Sequence, residues 1–177
     1  NVDSDASLDS GDTGQMGDTG DSGDSAEVVE PLTCTDFAPA VCLRVDGTLA
    51  TDTSATPPIY STVGEAVSAA GARPERTVIV IAAGEYRETL DINAGLITLV
   101  GENPADAAAV RIVYDNGNPK TRPEGGTYGT SGSATVIVRR NDFKAKNLTI
   151  ANDWTEGADN PESPSANQAA LAIWTLA

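Results

Sequence analysis

Histidine is missing from the 177 residues, and its absence restricts the chemistry open to the chain. A Ser-His-Asp or Cys-His nucleophile system cannot be assembled from these side chains, and neither can a zinc site with imidazole ligands. Hydrolysis would fall to carboxylates, to amides, or to a metal held by oxygen. Asp and Glu can serve as nucleophile, acid and base where their surroundings separate their pKa values. Two uncharged hydrogen-bonding side chains stand at the edges of apolar runs, Thr130 in YGTSGSAT and Gln168 in NQAALAI. Asp142 and Asp153 lie near the same runs, and both are read as caps of turns with no catalytic role.

The runs that must position these groups are short and β-branched: Thr77 to Ala82, Leu96 to Val100, Val110 to Tyr114, Thr135 to Val138, Leu148 to Ile150 and Ala169 to Ile173. Gly, Asn, Asp or Pro separates them, which reads as strands and turns. Several are continuously apolar, as strands of a parallel sheet buried on both faces are. No long helical pattern lies between them, so a doubly wound α/β fold fits poorly. Parallel strands joined by loops alone predict a solenoid, with an antiparallel sandwich as the alternative. Ahead of the strands, YSTVGEAVSAAG predicts a short helix that starts in a capping box of Thr62 and Glu65 and stops at Gly71. Val63, Ala66, Val67 and Ala70 share one face of it, which could cover the open end of a sheet stack.

Charge divides the chain further. Asp3, Asp5, Asp9, Asp12, Asp18, Asp21, Asp24, Glu27 and Glu30 fall in the first thirty residues, where there is no Lys or Arg. Such a segment has little apolar surface to bury and repels itself, so residues 1–30 are expected to stay extended as a disordered tether. Calcium binding is the functional alternative, but the spacing does not match an EF-hand loop. The remainder is mildly acidic and has no basic stripe for a phosphate backbone, which argues against nucleic acid. No apolar run approaches the roughly 20 residues of a membrane helix. Residues 31–58 read as an irregular lead-in and residues 59–177 as the strand-rich domain. Cys34 and Cys42 are either two reduced thiols or a small disulfide loop; the extracytoplasmic look of the tail favours the loop.

GEYRE at Gly84 to Glu88 reads by itself as a glycine turn with an exposed charged pair. In order with IYSTVGEAVSAA before it and LITLVGE, GTSGSATVIV, DFKAKNLTIAND and NQAALAI after it, it resembles the N-terminal half of pectin methylesterases, especially the bacterial secreted type. The resemblance covers Ile59 to Trp174. It implies an all-β fold, a right-handed parallel β-helix, here truncated, with the short N-terminal helix as its cap. It also implies removal of methyl groups from esterified homogalacturonan by two aspartates, one attacking the ester and one acting as acid and base, with no cofactor and no metal. Gln168 matches the glutamine that donates to the developing oxyanion, and Thr130 matches a threonine that contacts substrate. The family's aspartates, second glutamine, arginine and tryptophan fall beyond Ala177, so the chain alone is expected to be inactive.

Tyr128 and Trp154 could stack on sugar faces, although single aromatics in loops are usually packing residues. The partner implied is methyl-esterified pectin, met by a secreted or cell-surface protein that is monomeric when complete and held by a lipid or surface tether through the acidic tail. Two other readings stand beside this one: an envelope-anchored acyl-CoA thioesterase-like member of the same family, and a non-catalytic polysaccharide-binding β-helix. A solenoid cut after a few coils would expose Leu171, Ile173 and Trp174 to water.

Overall fold

The computed structural model describes residues 29–155 and 170–176. A 3-10 turn at Cys34–Phe37 leads into β1 (Val41–Val45), β2 (Ile59–Tyr60) and α1 (Val63–Gly71). Then follow β3 (Thr77–Ile81), β4 (Gly84–Arg87), β5 (Leu90–Ile92), β6 (Ile97–Gly101) and β7 (Val110–Tyr114). A single helical turn α2 (Gly129–Gly132) precedes β8 (Val136–Val138), β9 (Lys144–Lys146), β10 (Thr149–Asn152) and β11 (Ile173–Thr175).

The strands form three sheets ordered β2-β1-β3-β6-β9, β4-β7-β10 and β5-β8-β11, and every pairing between named strands is parallel. From β3 onward the chain visits the first, second and third sheet in turn, three times over. This is a parallel β-helix, and the antiparallel sandwich is excluded. Loops alone make the crossovers; the longest excursion before β11 runs from β7 to β8 and carries α2.

The apolar runs are explained by two burial sites. Ile79, Ile81, Ile97 and Leu99 point into the coil interior, where they meet Leu43, Val45, Ile92, Ile112 and Val136. Val78, Val80 and Val100 point outward and are covered by Leu32, Cys34, Phe37 and Cys42. The lead-in therefore acts as a flap over the first sheet. A disulfide between Cys34 and Cys42 closes it, with Cα atoms 5.6 Å apart. The extended piece inside residues 31–58 is β1, which pairs with β3 from Val41 to Val45.

Helix α1 buries Val63, Ala66, Val67 and Ala70, as its periodicity predicts, and these join the interior cluster. Thr62 caps it by accepting from the Glu65 amide at 3.2 Å. The Glu65 carboxylate turns elsewhere and accepts from Thr51 Oγ1 at 2.8 Å and Ser61 Oγ at 3.1 Å, which holds it below the usual carboxylate range, Thr51 contributing most. The remaining orphan amides of the first turn, Val63 and Gly64, donate to the two oxygens of Glu88 at 2.9 and 2.8 Å. GEYRE is thus a strand and a cap, which corrects its reading as a turn, while Glu85 and Arg87 are exposed as that reading has them. Tyr86 points inward, 6% exposed, and donates its hydroxyl to the Ala82 carbonyl at 2.9 Å.

Candidate functional site

Register decides which side chains face outward on the third sheet. Leu90, Ile92, Val136 and Val138 are buried, so the alternate positions Asp91, Ile137 and Trp174 stand in one column outside, with Asp91 paired to Ile137 and Ile137 to Trp174. Arg139, just past β8, returns onto the column and donates Nε to both carboxylate oxygens of Asp91 at 2.7 and 3.0 Å. That hydrogen bond raises the Arg139 pKa further above its already high value.

One wall beside this column comes from the β7–β8 excursion. Residues 117–129 double back on themselves: Thr121 bridges Thr127, the Tyr128 amide donates to Lys120 and the Gly129 amide to Asn118. Gly125 and Gly126 turn the loop with φ of 97° and 75°, conformations that a side chain would disfavour. Arg122 reaches from this loop toward the sheet, donating Nη2 to the Tyr128 carbonyl at 3.0 Å with its guanidinium 5.3 Å from the Tyr128 ring centroid. Gly132 on α2 allows that placement, because a Cβ there would stand 2.5 Å from Arg122 Nη2.

The result is a groove of about 250 Å³ with Ile137, Trp174 and Leu176 on one side, Ser131 and Gly132 on the other, and Arg122 and Arg139 at its margins. Thr130 is on the same helical turn. It is exposed, its Oγ1 accepts from Asn118 Nδ2 at 3.3 Å, and its carbonyl accepts from Ser133 Oγ at 2.7 Å. The neighbours of Thr130 line the groove; Thr130 itself stands beside it. Gln168 lies outside the described residues. No group of three His, Cys, Asp or Glu side chains is placed to hold a metal among the described residues.

Asp153 is not a turn cap. It accepts from Arg87 Nη1 at 2.7 Å and Nη2 at 3.3 Å, and this pairing holds its carboxyl below the usual range. Arg87 also pairs with Asp115 at 3.5 Å, and Asp115 with Lys120 at 3.2 Å. The Lys120 ammonium lies 5.8 Å from the Tyr114 ring and 5.9 Å from that of Trp154. Trp154 therefore belongs to an ionic and aromatic cluster on the second sheet, and packs over Gly117, where a Cβ would collide with the indole. Tyr128 is engaged by Arg122 instead. Asp142 does sit in the turn before β9, with φ of 65° and a 3.9 Å ion pair to Arg76.

Sequence reasoning passed over Arg122, Arg139 and Trp174 as site residues. The signal available for Trp174 and Arg139 was parity along each strand, which needs the register between coils. For Arg122 there was none, because the loop that turns it toward the sheet is irregular.

Comparison with known proteins agrees with the fold. No family model matches the chain. Pectinesterase A of Dickeya chrysanthemi is 33% identical over 106 residues, 60% of this chain and 28% of that protein. The chain is a relative of the pectin methylesterases. The pectin methylesterase PemA from Erwinia chrysanthemi superposes with a TM-score of 0.61 at 23% identity, covering 76% of this chain and 38% of that one. A pectin methylesterase solved in complex with a hexasaccharide gives a TM-score of 0.61 at 24% identity over 75% of this chain and 38% of its own. These likenesses show a shared parallel β-helix. The chain spans 28% of the length of the Dickeya relative that it matches.

Proposed function

We propose that this chain forms part of a pectin methylesterase, hydrolysing the C6 methyl esters of homogalacturonan to methanol and free carboxylates, and that it supplies the floor and one wall of the polysaccharide groove. The observation that carries the reading is the groove on the outward face of the third sheet, in a chain whose sequence relatives are pectinesterases. In this reading Thr130 contacts substrate, and Gln168 donates a hydrogen bond to the oxyanion formed when an aspartate attacks the ester carbonyl. A second aspartate protonates the departing methanol and then activates water. Neither aspartate is assigned to a described residue, and both are supplied from outside these 177 residues. The chemistry suits a chain without histidine, since two carboxylates in unlike surroundings can divide these tasks. The Cys34–Cys42 disulfide supports an oxidising, extracytoplasmic setting, with the acidic N-terminal segment as a tether.

The test is methanol release from highly methylated pectin by the 177-residue chain and by a chain extended at its C-terminus with the encoded sequence. Release is expected from the extended chain alone. Replacing Gln168 by Ala in that chain is expected to lower turnover by roughly 100- to 1000-fold, as loss of one preorganised oxyanion donor does. Methanol from the short chain would overturn the placement of the aspartates. Polysaccharide binding without methanol from the extended chain would leave a binding β-helix.

A further inference from the structure

We propose that the acidic segment from Asp18 to Glu30 docks on the outward face of β9, where Lys144 and Lys146 receive its carboxylates. The inference stands apart from the esterase reading, since it concerns the first sheet and not the groove. Register defines the face: Cys42, Val78, Thr98 and Lys144 form one outward column, and Arg44, Val80, Val100 and Lys146 the next. Over Val78, Val80 and Val100 the lead-in covers these columns through Leu32, Cys34 and Phe37. On β9 the columns end in two exposed lysines. Neither pairs with a carboxylate among the described residues, whereas Lys120, the remaining lysine, pairs with Asp115 at 3.2 Å. Arg76 adds a cation beside them, donating Nη1 to Thr98 Oγ1 at 3.1 Å, and its own ion pair to Asp142 is a loose 3.9 Å. A positive strip in a protein of formal net charge −15 calls for an anionic partner.

The path of the chain selects that partner. The 3-10 turn Cys34–Phe37 lies over β1 and β3, and the Leu32 amide, earlier in the chain, donates to the Glu102 carbonyl just past β6 at 2.6 Å. Followed backward, the lead-in therefore crosses the sheet in the order of its strands, and the next strand is β9. Neighbouring strands lie about 5 Å apart and each extended residue spans about 3.3 Å, so the few residues before Leu32 suffice to cross it. Those residues carry the acids. Asp18, Asp21, Asp24, Glu27 and Glu30 recur at every third position, a spacing that a chain of three residues per turn presents on one side, with no Lys or Arg between them. Each exposed ion pair is weak, so the docking depends on several pairs together and on the effective concentration that a shared chain gives them. A docked segment extends the flap over β9 and shortens the tether, and salt or a competing polyanion releases it.

The experiment treats the 177-residue protein with a carbodiimide, which joins an amine only to a carboxylate in contact with it, and identifies the joined peptides by mass spectrometry. At about 0.1 M salt, Lys144 and Lys146 are expected to join to Asp24, Glu27 or Glu30, with the Lys120 and Asp115 pair as internal reference. At about 1 M salt the screening length falls from about 10 to about 3 Å, and the yield should drop at least about fivefold relative to that reference. Cleavage after Glu27 by a glutamate-specific protease reads the docking without a lysine coupling. Lys144→Gln with Lys146→Gln should speed this cleavage roughly threefold or more at low salt and remove the difference from high salt. K144E with K146E should act alike, and adding D21K with D24K should restore slow cleavage. Circular dichroism of each variant checks that it is folded. Lysines that join to no residue before Leu32, a coupling that salt leaves unchanged, or cleavage indifferent to the lysines overturns the docking. Joined peptides found only between differently labelled chains would give the face to a second copy. Unesterified polygalacturonate bound at Lys144 and Lys146, with no coupling of the acidic segment, would give it to a polysaccharide. Either result also overturns the proposal.

Discussion

Glu88 and Gly64 should show a coupling that reverses the sign of a substitution. Glu88 closes the turn after β4 and presents both carboxylate oxygens to the first two amides of α1, at 2.9 and 2.8 Å. Those amides have no partner inside the helix, and the N-terminal end of a helix also favours negative charge. Charged hydrogen bonds contribute about 1.5–3 kcal/mol each, but Glu88 is only half-buried and water can replace part of the loss, so Glu88→Ala should cost about 2–3 kcal/mol in total. Gly64 has a separate reason to be glycine. A Cβ at that position would come within 2.9 Å of Glu88 Oε2, so Gly64→Ala forces the carboxylate out of its bidentate position and should cost about 1 kcal/mol. With Glu88 already replaced, the added methyl meets only Leu90 Cδ2 at 3.9 Å, ordinary contact. The higher helix propensity of Ala then prevails, so Gly64→Ala should stabilise the Glu88→Ala background by about 0.5 kcal/mol. The double-mutant cycle thus predicts an interaction of about 1.5 kcal/mol, read from urea unfolding with the slope held common. Additive effects within about 0.5 kcal/mol would show that Glu88 does not cap the helix as described, and the argument would fail.

Other consequences follow from single side chains. Asp153 has a carboxyl held down by Arg87, so it stabilises the folded state above its unfolded pKa of about 3.9 and that contribution disappears as pH falls through the lower folded value; Asp153→Asn should flatten the acid limb of a melting-temperature profile below about pH 4 and leave its alkaline limb unchanged. Burial raises the Tyr86 phenol, so its contribution is present below its unfolded pKa of about 10 and lost as pH rises toward the folded value; Tyr86→Phe should remove this alkaline loss and cost about 1 kcal/mol at neutral pH for the bond to Ala82. Asn152 Nδ2 shares its two hydrogens among the carbonyls of Asn116, Ser133 and Leu171, at 2.9, 2.8 and 3.1 Å, and Asn152→Ala should cost about 2–3 kcal/mol in urea unfolding by removing these donors. Ile173 and Leu176 are 44% and 43% exposed at the last described strand, and Ile173→Thr with Leu176→Thr should slow aggregation in light scattering; unchanged aggregation would place the sticky surface elsewhere.

What could be read from the sequence depended on whether a strand's environment is symmetric. β3 and β6 read as TVIVI and ITLVG because the interior covers one face and the disulfide flap the other, so composition alone marks them. α1 was legible for a similar reason: Thr62, its cap, and its four buried residues are all local in sequence. β5 and β9 carried no such mark. LDI alternates, with Asp91 outward, and KAK is an exposed edge strand of the kind that charge protects from further pairing. They exist because a parallel coil aligns them with β8 and β6, a relation that spans loops of unequal length. Of the strand expected at Ala169 to Ile173, Ala169 lies outside the described residues, and among the described ones the strand is Ile173–Thr175, where pairing with β8 sets its register.

The candidate site was only partly legible, and the reason is geometric. Thr130 is legible as a polar residue beside a strand, yet it stands beside the groove with its Oγ1 accepting from Asn118, and the groove takes its neighbours Ser131 and Gly132. The groove exists because Asn152, at the end of β10, binds backbone from three separate segments: Asn116 after β7, Ser133 after α2 and Leu171 before β11. Those contacts fix the excursion that carries Arg122 and α2 against the strands that carry Ile137 and Trp174. An inward-facing asparagine between Ile150 and an ion-paired Asp153 has no periodicity to announce it. Its three acceptors are scattered along the sequence and converge only when the coils stack, so the side chain that assembles the site could not be recognised before the fold was known.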